Sequence, residues 1–429
     1  MKSFFKKVYE NPVFRGTLIL SVANVFFHVF NYIFHLFMGR LLGPVQYGIF
    51  GSLAAIVSIL AVFSSSVQVV SAKFTSMFKA KDDKAGIHNL FVGLTKWMAI
   101  FGFVIFLIIL VLSPQIASFL NIPQITPVII FAFIFLLIFL VPVLRGMLQG
   151  LQKFFYLSLS NSLEALFKLA SGIILVILGF AVNGAVAAII LGLLLGYVVI
   201  FFAVRKFIFI KGNNQKFDWQ VVKKYAVPVF FSYLGTTLLV TVDVVLVKHF
   251  FPAFDAGLYA ALSVLGMIIF YITAPINTVM LPIIAEKFHR GEPYNKTFGQ
   301  SLILYFLIGG VVTLLYFLIP QLIVKVFYGQ AYLGVSRFLG PYAIYMILYN
   351  LSYIFMVYFL SIQKIKAAIL PILASIFLAV AISLFHNSFA QVITSLIGVN
   401  FLLLISLILY FFFSKNNQIE VDSEAQSTI

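Results

Sequence analysis

The chain reads as an all-α polytopic membrane protein, with about twelve transmembrane helices in two pseudo-symmetric six-helix lobes. Three observations predict this. Of its 429 residues, 63% are hydrophobic and only 9% charged, with mean hydropathy +1.12, a composition suited to a bilayer. Apolar stretches long enough to cross the hydrocarbon core recur near 14–39, 45–72, 87–112, 127–150, 154–179, 183–204, 226–250, 256–284, 297–319, 333–360, 365–385 and 389–413. Short sequence patterns also return about 209 residues later, as QYGIFGSLAA (46–55) does in DAGLYAALSV (255–264).

The connections set the orientation. One side carries Lys2, Lys6, Lys7 and Arg15, Lys73 and the cluster Lys79 to Lys84, Arg145 and Lys153, a basic block from Arg205 to Lys224, Lys287, Arg290 and Lys296, Lys364 and Lys366, and Lys415. The other side has only Arg40, Lys248, Lys325 and Arg337. Basic residues stay on the cytoplasmic side, so both termini are expected in the cytoplasm and the protein in the cytoplasmic membrane. The 28 Lys and Arg against 12 Asp and Glu, a net charge of +16, thereby become a topology signal, and no nucleic-acid partner is expected. There is no cysteine, which excludes disulfide and thiolate chemistry. Pro12 and Arg15 precede the first apolar run, so a cleavable signal peptide is not expected. Residues 1–11 read as an interfacial segment.

The repeat divides the chain into a lobe over 1–210, a lobe over 211–415 and a polar tail over 416–429 that is expected to be disordered. LQGLQKFF (148–155) and FLSIQKIK (359–366) add a second match, a cytoplasmic Gln-Lys turn. Two lobes repeated in parallel suit a carrier whose central site lies between rocking halves.

The candidate site residues fall on helix faces. In the first span Thr17, Ser21, Asn24, His28, Asn31 and His35 recur at steps of 4, 3, 4, 3 and 4 and share one face. Such a stripe cannot comfortably face lipid. It is either helix–helix glue or the lining of a polar cavity. The second span repeats the choice with Ser64, Gln68, Ser71 and Thr75, and the repeat matches Gln68 with Asn277. In the fifth span Asn161, Glu164, Lys168 and Ser171 share a face, with Glu164 and Lys168 at i and i+4 in the order that favours an ion pair. That pair is either purely structural or a cavity group meeting a charged cargo. Tyr342, Tyr345, Tyr349 and Tyr353 line the tenth span, as packing or as ring faces for sugar. Arg40 beside Gly43-Pro44, and Arg145 at the cytoplasmic end of the fourth span, are a turn residue and a topology anchor, or else phosphate binders. Asp243, the one acid in the seventh span, shares a face with Tyr225, Ser232 and Thr236. It is a structural carboxylate or a group that exchanges a proton or cation as the lobes move.

Enzyme chemistry finds little support. There is no phosphate-binding loop, and no His/Asp/Glu set has ligand spacing. His28 and His35 stand seven apart, not at i and i+4. No outer loop is large enough for a catalytic domain, and no cofactor or metal is expected.

GRLLGPVQYGIFGSL (39–53) resembles the signature of the polysaccharide transporter branch of the multidrug/oligosaccharidyl-lipid/polysaccharide exporter superfamily. Asp243 followed by AGLY (256–259) is similar to the start of that family's second lobe, where an acid is often present. The resemblance implies a flippase that moves an undecaprenyl-type lipid-linked oligosaccharide from the cytoplasmic to the outer leaflet. It implies membrane lipids, glycosyltransferases and a glycan polymerase as partners. The alternatives are a cation-coupled multidrug exporter of the same superfamily and a membrane-embedded glycan polymerase or transferase. The second lobe departs from the first: Gly43-Pro44 becomes Pro252-Ala253, and the His/Asn stripe is largely apolar.

Overall fold

The computed structural model describes residues 12–208, 220, 230–231, 233–290, 292–362 and 364–427, with side chains from Phe26 onward apart from 206–208, 278, 282, 289, 365 and 414–427. The interfacial segment 1–11, linker residues 209–219 and 221–224, Tyr225 and Ser232 lie outside the described residues, as do the side chains of Thr17, Ser21 and Asn24.

The described residues are almost entirely helical. Ten helices among them are long and apolar enough to cross a membrane. Two of these, 26–80 and 154–205, run to 55 and 52 residues; at 1.5 Å per residue each is about 80 Å long, enough for two crossings. The chain is therefore a multi-pass integral membrane protein, and the ten helices accommodate the twelve expected spans.

Helix α1 (Pro12–Ala80) bends at Gly43, whose φ of 68° and ψ of 172° are non-helical. Gly alone takes that conformation cheaply, and Pro44 cannot donate to the preceding turn. Helices α2 (Lys84–Val111) and α3 (Ser113–Phe119) follow. The fourth span is broken into α4 (Thr126–Ala132), α5 (Ile134–Ile138) and α6 (Val141–Gly150). Pro142 lies in the first turn of α6, and hydroxyls from α1 cover carbonyls along the break: Ser64 donates to Ile138 O at 2.9 Å and Ser71 to Val143 O at 2.8 Å. Those two serines are helix–helix glue. Helices α7 (Phe154–Leu175) and α8 (Ala181–Ile208) form a hairpin through a turn at Gly179, φ 92°.

Next come α9 (Val242–Phe250), α10 (Ala253–His289), α11 (Asn295–Leu318), α12 (Pro320–Tyr328), a 3₁₀ stretch (Gln330–Phe338), α13 (Leu339–Ser361), α14 (Ile369–Leu384) and α15 (Phe389–Ser427). Helix α15 is described as far as Ser427. The short helices α3 and α12 are not anticipated by the sequence. They carry a further repeat, LSPQI (112–116) and LIPQL (318–322), each with proline in its first turn.

Two compact units emerge. One takes the chain to Phe230 together with Phe251–Gly257; the other comprises Phe231–Phe250 and everything from Leu258. In the first, Leu90, Phe131, Phe135 and Met147 are fully buried. In the second, Leu262, Leu265, Tyr342, Met346 and Leu396 are. Outward faces stay apolar, as on α11, where Ile303, Leu307, Leu314 and Leu318 are exposed, as a lipid-facing surface requires.

Candidate functional site

In the first unit, three membrane-embedded helices bring charges together. Glu164 on α7 forms an ion pair with Arg145 on α6, both side chains nearly buried. Lys168, one turn later, donates to Asn31 Oδ1 on α1, and its ammonium lies 4.8 Å above the Phe34 ring, a cation–π distance. Asn31 in turn donates to the Phe27 carbonyl at 2.8 Å. The expected Glu164–Lys168 pair is therefore corrected: the two side chains share a face but diverge to different neighbours. Arg145 offers Glu164 a planar, charge-assisted contact across the interface, which an i, i+4 partner on an exposed helix surface cannot match. Gly196 on α8 makes room for this: a Cβ there would stand 2.9 Å from Glu164 Oε2.

Around this centre, His35 Nδ1 is 3.3 Å from the Tyr47 hydroxyl, and His35, Tyr47, Phe34 and Phe50 form a ring cluster. His28 is exposed and Asn161 half-buried, with the Asn161 Oδ1 buried and without a partner. Gln68 reaches Gln149 at 3.4 Å. Arg40 is exposed, one turn before the Gly43 bend. Asn24 falls outside the described side chains. The structure thus joins Asn31, Arg145, Glu164 and Lys168 into one chain of charged and polar contacts, while Gln68 and Arg40 are not part of it.

In the second unit the carboxylate dominates. The seventh span breaks at Val240–Thr241, where N–H groups bond back three residues, Val240 to Thr237 O and Thr241 to Leu238 O. Asp243 lies in the first turn of α9, just past the break. It is fully buried, and its Oδ2 accepts the Tyr259 hydroxyl at 2.8 Å and the Tyr342 hydroxyl at 3.1 Å. The carbonyls freed near the break go to the same tyrosine helix: Tyr345 donates to Leu239 O at 2.8 Å and Tyr349 to Thr236 O at 3.2 Å. The hydroxyls of Tyr342, Tyr345 and Tyr349 thus hold α13 against the broken span. Asn277 donates to the Tyr305 hydroxyl at 2.6 Å. Tyr259 is the tyrosine of AGLY, and its place in that motif is the signal the sequence carries for it.

Residues 13–288 match the family described as polysaccharide biosynthesis protein, well over half of the chain. An uncharacterized membrane protein of Methanocaldococcus jannaschii, MJ1375, is 24% identical over 294 residues, 63% of this chain and 68% of its own length. Among solved structures, an inward-facing multidrug resistance MATE family transporter of the MOP superfamily is similar with TM-score 0.78 and 14% identity, over 92% of this chain and 96% of the other. A MOP superfamily transporter from Pyrococcus furiosus, described by the reverse polarity of its binding pocket, is similar with TM-score 0.62 and 15% identity, over 96% of each chain. At such identities the likeness carries the fold. The chain belongs to the polysaccharide biosynthesis protein family, as a multi-pass membrane protein with the transporter fold of the MOP superfamily.

Proposed function

We propose that this protein flips a lipid-linked oligosaccharide across the cytoplasmic membrane by alternating access. The sugar–pyrophosphate head crosses beside the polar residues of the first unit while the lipid tail stays in the bilayer. One observation carries this reading. In the cluster where α1, α6 and α7 meet, Arg145 and Lys168 stand beside one acid, Glu164. Two cations per acid leave a surplus positive charge, held by an amide and a ring face that an anionic ligand can displace. Embedded charge of that kind is costly and is kept for substrate pathways. An anionic pyrophosphate suits it; a cationic drug does not. The family match supports the glycan as cargo, with glycosyltransferases supplying it and a polymerase receiving it.

The test is reconstitution into liposomes with a fluorescent lipid-linked oligosaccharide whose outer-leaflet fraction is quenched by a membrane-impermeant reductant. The parent protein scrambles or pumps the lipid. Lys168→Gln keeps its fold and loses roughly tenfold or more in rate, the loss of one charge-assisted hydrogen bond. Unchanged flipping by Lys168→Gln would remove the charge argument. The multidrug exporter reading is favoured by the fold of the MATE transporters; efflux of a cationic dye by the same liposomes, without lipid movement, would establish it.

A further inference from the structure

We propose that the cytoplasmic face of the first unit carries a phosphate-binding pocket, separate from the embedded residues above, that takes the headgroup of an anionic inner-leaflet lipid. A cavity of about 230 Å³ opens between two turns, lined by Lys79, Asp82 and Lys84 from one and Leu151 and Lys153 from the other, with Ile87 at its base. Three lysines and one aspartate line it, and Ile87 and Leu151 are buried apolar residues. A positive rim over an apolar floor matches a headgroup phosphate over the start of its glycerol and acyl chains. Basic pockets between transmembrane helices on the cytoplasmic side are a recurring way of holding such lipids.

The positive-inside rule alone accounts for lysines on this side, but not for their convergence. Two backbone turns enforce it. Asp82 and Gln152 both adopt positive φ, 50° and 60°, and both turns close with the six-to-one hydrogen bond of a Schellman motif, Asp83 N to Phe78 O at 2.9 Å and Lys153 N to Leu148 O at 2.8 Å. Lys79 then ties the turns together, donating to Leu151 O and Gln152 Oε1, each at 3.2 Å. An ammonium has three protons, and two are thereby placed. Neither Lys79 nor Lys84 is within ion-pair distance of an acid among the described residues. The matching cluster of the second unit is built otherwise. There Arg290 pairs with Glu286 at 2.8 Å and Glu292 at 4.0 Å, and Lys287 bonds Thr297 at 3.0 Å. That cluster neutralises itself, whereas in the first Lys153 donates to the Ala203 carbonyl at 3.3 Å and the charges of Lys79 and Lys84 have no acid within ion-pair distance among the described residues.

The experiment uses the full chain in nanodiscs of phosphatidylcholine with and without phosphatidylglycerol. The readouts are phosphatidylglycerol retained through purification, counted by native mass spectrometry, and unfolding temperature. The variants are Lys84→Gln/Lys153→Gln in the pocket and, as a control of equal charge on the same membrane side, Lys296→Gln/Lys366→Gln. Lys79 is left intact because it joins the turns. The parent and the control should retain phosphatidylglycerol over phosphatidylcholine, and the pocket variant should lose that preference by roughly tenfold with its unfolding temperature in phosphatidylcholine unchanged. If the pocket variant does not fold, Lys84→Gln alone, at an exposed position, carries the same comparison. Inorganic phosphate at matched ionic strength separates the sources: failure to displace the lipid assigns the site to a headgroup, and full displacement assigns it to free phosphate. Equal loss in pocket and control variants would reduce the effect to diffuse membrane-side charge and overturn the pocket, as would a parent protein with no anionic preference.

Discussion

The Tyr342 hydroxyl donates to Asp243 Oδ2 at 3.1 Å, and Tyr259 donates to the same oxygen at 2.8 Å. Two helices thus converge on one embedded carboxylate at a helix break. By the repeat's offset of 209, Asp243 corresponds to Phe34, and Tyr259 to Phe50. In the first unit those positions hold rings in edge contact, 5.7 Å apart, with a lysine ammonium over Phe34. The same two places therefore carry a cation on a ring in one unit and a carboxylate under hydroxyls in the other.

Tyr342→Phe should destabilise by about 1–3 kcal/mol, because a buried oxygen loses one of two donors. Tyr259→Phe should do the same. The two together should be non-additive, since both act on one oxygen. Thermal unfolding in detergent measures this; additive effects would show that the tyrosines do not share the carboxylate energetically.

Asp243→Asn keeps an acceptor for both hydroxyls and removes titration. We expect it to fold, to bind cargo and to lose acceleration by an imposed proton or sodium gradient in liposomes. A variant that responds to the gradient like the parent protein would make Asp243 structural.

Breaking the Arg145–Glu164 pair should leave an uncompensated embedded charge. Arg145→Met or Glu164→Gln alone should cost about 3–5 kcal/mol, and the double change should recover much of it. The pair Glu164→Gln/Lys168→Met should show no such recovery, because these side chains have different partners. Recovery in that second pair would restore the i, i+4 ion pair.

Gly48 and Gly257 are matched by the repeat, and the first unit brings them together: a Cβ on Gly48 would stand 2.9 Å from Gly257 N, and one on Gly257 would run into the Pro44 carbonyl. Gly257→Ala should therefore sharply lower folded yield, while Gly310→Ala, at a position with open space around it, should not. Size-exclusion profiles of the two variants decide it.

The chain has no cysteine, so single cysteines report cleanly. His28→Cys, at an exposed position, should react with a water-soluble thiol reagent, and Phe34→Cys, at a fully buried one, should not. An unreactive His28→Cys would place that part of the stripe against lipid or protein.

Periodicity and charge determined the helical class and the apolar spans, because lipid imposes length and apolarity on each crossing independently of its neighbours. They also picked out the polar positions, since Asn31, Glu164, Lys168 and Asp243 stand out against apolar surroundings. What they could not determine is partnership. Glu164 and Lys168 look like a pair on one helix, yet Glu164 faces Arg145, 19 residues earlier, and Lys168 faces Asn31, 137 residues earlier. Likewise nothing in the spacing of Tyr345 and Tyr349 announces that their hydroxyls serve the carbonyls of Leu239 and Thr236, more than a hundred residues away. Those choices belong to the tertiary structure. A hydrogen bond or ion pair forms with whatever group packing brings within reach, and in a bundle that group sits on another helix.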